Sequence, residues 1–199
     1  SVLRELADND YRGIVAIKST VECGFTQSAI DQFKNLTLCF VPEFLRERCA
    51  MDDFISNHNL LAVGTHDKFV FDKIVEAHGH YPKDTARLKP TEAEILKYYN
   101  NVFAAYKIIF ANIMSEVCGK LNCDYTTVKD AFVKFGRCKD TYLDVNENLK
   151  GYGGMCLPKD VKAMTKLLEK LDIDFDTFKS IDSDNSKLKT TVFNGMRKQ

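Results

Sequence analysis

The sequence lacks net charge: 28 Lys and Arg balance 28 Asp and Glu over 199 residues. No summed field draws it to nucleic acid or to an anionic membrane surface, and neither partner is expected. It lacks any apolar run near the roughly 20 residues that a membrane-spanning helix needs. Its first residues, SVLRELADND, have no basic stretch followed by an apolar core, so no signal peptide is read there. The seven cysteines, at 23, 39, 49, 118, 123, 138 and 156, lack CxxC spacing. A reduced, cytoplasmic setting is expected, with most cysteines acting as small core residues and with no metal site. A GxGxxG dinucleotide fingerprint is missing as well.

What is present is an ordinary globular balance, 45% hydrophobic and 28% charged. Residues 12–19, 36–40 and 60–64 are apolar and β-branched enough to read as buried strands. Helical spacing follows over 26–34 and 67–78. Strands alternating with short helices predict a parallel sheet with crossover helices. The first buried strand comes only a few residues into the chain, an abrupt start for such a sheet, so a missing front end is expected.

The texture changes at Pro90. From Thr91 to about Leu121 the sequence reads as one long helix, with Ile95, Tyr99, Val102, Tyr106, Ile109, Ile113 and Val117 recurring at three- and four-residue steps. At about 1.5 Å per residue it spans over 40 Å, and a second copy of the chain is a natural partner for it. Asp124 suits an N-cap for a helix over 125–135, Pro158 the first turn of another to about Lys170, and a last helix is expected over 174–188. Residues 137–155 read as a loop. The predicted organisation is a partial sheet domain over 1–90 and a helical domain over 91–199.

Four clusters carry candidate chemistry. In GYGGMCLPKD (151–160), glycines precede Cys156 just before a helix start, where free N–H groups and the helix dipole favour a thiolate. That is the setting of a nucleophile, and equally of a structural cysteine beside a turn. Lys97 and Asn101 share one helix face and suit a developing oxyanion, though a solvated face has the same pattern. Glu43 and Glu47 follow the second strand, where open α/β sheets place ligand sites; they also suit a charged helix start. Thr20 closes the first strand and can hold a water or a hydroxyl, or simply turn the chain.

The four pieces, KSTVECGFT (18–26), VPEFLRE (41–47), AEILKYYNNVFAAYKIIFANIMSE (93–116) and GYGGMCLPKD (151–160), resemble in content and order the motifs of the UDP-glucose/GDP-mannose dehydrogenases. These enzymes oxidise a sugar C6 alcohol to a carboxylate with NAD. The resemblance implies an α/β fold: the C-terminal part of a Rossmann-like parallel sheet domain, then an all-helical central domain built on one long helix. It implies that Cys156 forms a thiohemiacetal and then a thioester, with Lys97 and Asn101 stabilising oxyanions and Asp160 assisting the lysine and a catalytic water. Thr20 and Glu47 match residues that position a water near the nicotinamide. Glu43, Phe44, Leu45 and Gly153 match the sugar site, and Arg137 and Tyr142 a loop that contacts the nucleotide sugar. A homodimer through 91–121 is implied too.

Departures are Glu22-Cys23-Gly24 in place of a Pro-x-Gly, and Val41 in place of an asparagine. The N-terminal GxGxxG unit and a C-terminal nucleotide-binding domain are expected to be missing, leaving a fragment that binds NAD weakly and turns over little. UDP-glucose is favoured as substrate because PTEAE and RCKDTY resemble that branch. Two rival readings are an inert dimerisation module, against which the intact cluster counts, and a hydroxyacid dehydrogenase, which needs no cysteine.

Overall fold

A computed structural model describes residues 2–46, 49–146 and 148–188. The chain divides into two compact units, 1–97 and 98–199.

The first unit holds a four-stranded sheet, β1 (Ile14–Ile17), β2 (Thr37–Phe40), β3 (Leu61–Gly64) and β4 (Thr85–Leu88), in the spatial order β1-β2-β3-β4. The pairings β1/β2 and β3/β4 are parallel, as the alternation of strands and helices requires. The central pairing is antiparallel and meets at Phe40 and Gly64. Periodicity does not report strand direction, which is why the alternation alone predicts a wholly parallel sheet. β4, sequence TARL, carries no apolar run and alternates between exposed and half-buried residues. It is an edge strand that hydrophobic patterning passes over.

Successive residues of a strand point to opposite faces, and both faces of this sheet are covered. Leu36 and Leu38 pack with Ala29 of α2 (Phe25–Gln32) and with Leu3, Leu6 and Ala7 of α1 (Val2–Asp8). Cys39, Val41, Leu61 and Val63 pack with Val70, Phe71, Ile74 and Val75 of α4 (Lys68–His78). A short helix, α3 (Ala50–Ile55), lies between β2 and β3. Asp67 caps α4 by accepting a 2.7 Å hydrogen bond from the N–H of Phe69.

The long helix α5 (Pro90–Lys120) begins against the end of β3. A Cβ on Gly64 would lie 2.8 Å from Ala93 Cβ and 3.0 Å from Pro90 Cα, so only glycine lets the strand end and the helix start approach this closely. By length and composition α5 could cross a membrane. Its sides differ, however. Tyr98, Val102, Ala105 and Ile109 are buried, together with the polar Asn101 and Asn112. Ile95, Tyr99, Phe103, Tyr106, Phe110, Ile113 and Val117 are exposed. The stripe predicted from sequence therefore mixes two faces, since Val102 and Ile109 belong to the core. A helix apolar on most sides gives a periodicity that cannot separate them. Its buried polar groups and the apolar packing around Ile109 mark α5 as a core helix.

The second unit contains the rest of α5, then α6 (Tyr125–Lys134), α7 (Leu157–Lys170) and α8 (Thr177–Lys187). Asp124 caps α6 through the N–H groups of Thr126 and Thr127, as its position predicts. Val102, Ala105 and Ile109 of α5 pack with Tyr152, Val161 of α7 and Ile181 of α8 to make the core.

Candidate active site

In the first unit, the candidate residues gather after the C-terminal ends of β1 and β2. Lys18 and Glu43 form an ion pair, with Nζ 2.9 Å from Oε2. The main-chain carbonyl of Glu43 accepts a hydrogen bond from Lys97 Nζ, and the same ammonium lies 5.7 Å from the centre of the Phe44 ring. Lys97 is thus held over the VPEF segment by one hydrogen bond and one cation–π contact. Thr20 and Leu45 are half-buried in the neighbouring loops. Glu47 lies outside the described residues.

The VPEF segment is anchored by a group that no sequence pattern singles out. Arg46 donates to Asp53 from its main-chain N–H and its Nε, each at 2.9 Å to Oδ2, and from a terminal guanidinium nitrogen at 2.7 Å to Oδ1. These bonds hold the Asp53 carboxyl well below the usual carboxylate range.

A second unforeseen group is Glu94, which is fully buried. Its Oε2 accepts from Gly24 N–H at 2.5 Å and its Oε1 from Thr26 N–H at 2.7 Å. It closes the N-terminus of α2, which has no side-chain cap of its own. Beside it, burial first and then the Glu94 charge push the Cys23 thiol up to about 11, so Cys23 is a poor thiolate. Burial does the same to Cys39, up to about 11. Cys49 stands at the start of α3, and its thiol donates to the Asp53 carboxylate, with Sγ 3.6 Å from Oδ2.

In the second unit, Cys156 is exposed and occupies the N-cap position of α7, with Pro158 in the first turn. Its carbonyl accepts the N–H of Asp160 at 3.0 Å. Asp160 is fully buried in that first turn. Two partners compensate the burial: Asn101 Nδ2 donates to Oδ2 at 2.6 Å, and Lys159 Nζ lies 2.5 Å from Oδ1. Asn101 and Asp160 are therefore in direct contact, 59 positions apart in sequence. Gly151 and Gly154, at φ 85° and 80°, bend the chain into Cys156, and Gly153 lies half-buried between them.

Arg137 is exposed and stacks on Phe135, with its guanidinium carbon 4.9 Å from the ring centre. Tyr142 has a positive φ of 68°, and its ring lies 5.3 Å from Lys107 Nζ. The same lysine donates to the Thr141 carbonyl at 2.9 Å. The loop is further pinned by Lys129, a mostly buried ammonium 2.6 Å from Asp144 and 3.1 Å from Asp140. These carboxylates push the lysine above its usual range. Aperiodic loops leave no signal for such anchors in the sequence.

Residues 91–187 match the UDP-glucose/GDP-mannose dehydrogenase family, central domain. A UDP-glucose 6-dehydrogenase of Rickettsia prowazekii is 29% identical over 179 residues, 86% of this chain and 40% of that protein. One from Haloferax volcanii is 33% identical over 175 residues, 80% of this chain and 40% of that protein. The solved structure of a UDP-glucose dehydrogenase from Pyrobaculum islandicum superposes with a TM-score of 0.82 at 28% identity, covering 94% of this chain and 44% of that one. The chain thus spans less than half the length of the relatives it matches.

Proposed function

Because this chain belongs to the UDP-glucose/GDP-mannose dehydrogenase family, we propose that it carries the cysteine half-reaction of a nucleotide-sugar 6-dehydrogenase that converts UDP-glucose to UDP-glucuronate. The observation that supports this most is the join of an exposed Cys156 at a helix start with the buried Asn101–Asp160 pair one turn further on.

Oxidation of a primary alcohol to an acid removes two hydrides. The first leaves with loss of the hydroxyl proton and gives an aldehyde, which has no second hydride to release until something adds to its carbonyl. Cys156 supplies the addition: its sulfur bonds to C6, and the carbonyl oxygen takes a proton to give a thiohemiacetal. Loss of the second hydride and of that proton gives a thioester, and water cleaves it to the carboxylate and the free thiol. Asn101 and Lys97 stabilise the oxyanions on this path. Asp160 orients the Asn101 amide and assists the attacking water. By the family resemblance, Glu43, Phe44, Leu45 and Gly153 are assigned to the sugar, and Arg137 and Tyr142 to the nucleotide.

NAD, when bound, takes up the hydrides. Thr20 and, outside the described residues, Glu47 are assigned to its nicotinamide side by the family resemblance. The helix starts after β1 and β3, which a pyrophosphate would favour, are already closed by Glu94 and Asp67. The apolar outer face of α5 supports a homodimer, and the free cysteines a reducing, cytoplasmic setting.

Iodoacetamide labelling resolved by peptide mass tests the reading. Cys156, exposed at a helix start, is expected to label first, and Cys156→Ser to abolish turnover of UDP-glucose. Labelling of Cys156 no faster than that of Cys138 would favour an inert dimerisation module instead.

A further inference from the structure

Three residues separate two fixed points at the candidate nucleophile. On the far side, Cys156 is fixed by α7, whose first turn buries Asp160 and Val161 completely. On the near side lies Tyr152, whose ring is buried against Ile181 in the core. Between them run Gly153, Gly154 and Met155, and a pair of glycines has little conformational preference of its own. The path taken to Cys156 therefore depends on how firmly the main chain at 151–152 is held.

That hold comes from one side chain of α8. Asn185 Oδ1 accepts the N–H of Tyr152 at 2.7 Å, and Asn185 Nδ2 donates to the Tyr152 carbonyl at 2.9 Å. The amide thus pairs with both main-chain groups of one residue, as a neighbouring strand would. The fit is tight. A Cβ on Gly151 would lie 2.6 Å from Asn185 Oδ1 and 3.3 Å from Leu188, and Gly151 has φ 85°. The same helix offers Asp182 Oδ1 to the Tyr152 hydroxyl at 3.4 Å.

We infer that Asn185 is a positioning residue for Cys156: acting through the main chain of Tyr152, it fixes the entry to the glycine turn and so sets where the thiol stands at the start of α7. This rests on the reading of Cys156 as the nucleophile. The side-chain chemistry is specific. Aspartate keeps the acceptor for the Tyr152 N–H but loses the donor to its carbonyl. Glutamine carries the amide one methylene further into space that Gly151 already fills. Alanine removes both bonds.

Hydrogen exchange read by mass spectrometry on the full chain, with Asn185→Ala and Asn185→Asp, tests this alongside the pH profile of Cys156 alkylation by iodoacetamide. With both bonds lost, exchange over 151–156 should quicken on the order of tenfold in Asn185→Ala and less in Asn185→Asp, with β2 and α6 unchanged. The alkylation profile of Cys156 should move while that of Cys138 does not. Unchanged exchange over 151–156 overturns the inference. So does faster exchange with an unmoved Cys156 profile. Should Asn185→Ala loosen the whole unit, Asn185→Asp decides by the same criteria. Failure of the functional reading looks different: Cys156 of the parent chain would label no faster than Cys138, while the exchange effect at Tyr152 would stand.

Discussion

Glu94 Oε1 lies 2.7 Å from the main-chain nitrogen of Thr26, 68 positions earlier in the chain. A fully buried carboxylate of one helix thereby caps the start of another. Glu94→Ala would leave the N–H groups of Gly24 and Thr26 without this acceptor. A cost of about 3 kcal/mol is expected for two such donors. Urea unfolding followed by far-UV circular dichroism checks it, since the chain has no tryptophan for fluorescence. A loss below about 0.5 kcal/mol would show that water replaces the carboxylate.

Asp53 links pH to stability. Its folded carboxyl is depressed by the Arg46 hydrogen bonds, so its contribution is complete above the unfolded value of about 3.9 and fades as pH falls toward the folded value. Arg46 is largely exposed, which limits the pair to about 1 kcal/mol. Asp53→Asn should lower the urea midpoint at pH 7, and the gap from the parent chain should narrow at pH 3. A gap that widens on acidification would contradict the assignment.

The outer face of α5 predicts self-association. Phe103→Glu with Phe110→Glu places two charges in the exposed apolar stripe. Sedimentation should shift from twice the chain mass to 22.7 kDa, with helicity by circular dichroism retained. A parent chain that sediments as a monomer up to high micromolar concentration would remove the homodimer from the proposal.

Asp160→Asn separates charge from packing in the candidate site, because the side chain keeps its size. If the buried carboxylate acts in the transition state, kcat for UDP-glucose oxidation should fall about 10²–10³-fold with KM little changed. A rise in KM alone would instead place Asp160 in ground-state binding.

Much of the fold is legible in the residues. Strands rich in apolar residues, the Asp67 and Asp124 caps, Pro158 at a helix start and the long repeat of α5 all express local rules, and the elements form there. The cysteine turn is legible because glycines, a thiol and a helix start are neighbours in sequence. The groups that hold these parts are not. Glu94 reaches Gly24, Asn185 reaches Tyr152, and Lys129 reaches Asp140 and Asp144, all across the fold. Each looks like an ordinary polar residue on a helix until the partner is known. The antiparallel β2/β3 pairing escapes for the same reason, since direction is a property of the fold and not of any strand.

Lys97 and Asn101 lie on one unbroken helix, four residues apart. At about 1.5 Å per residue their separation along its axis is close to 6 Å, and main-chain hydrogen bonds maintain it without help from any tertiary contact. The helix works as a ruler. Substitutions elsewhere can alter what each side chain faces, but the interval between the two Cα positions is written in the backbone. A single residue inserted between them would swing Asn101 about 100° around the axis, a larger change than replacing either side chain.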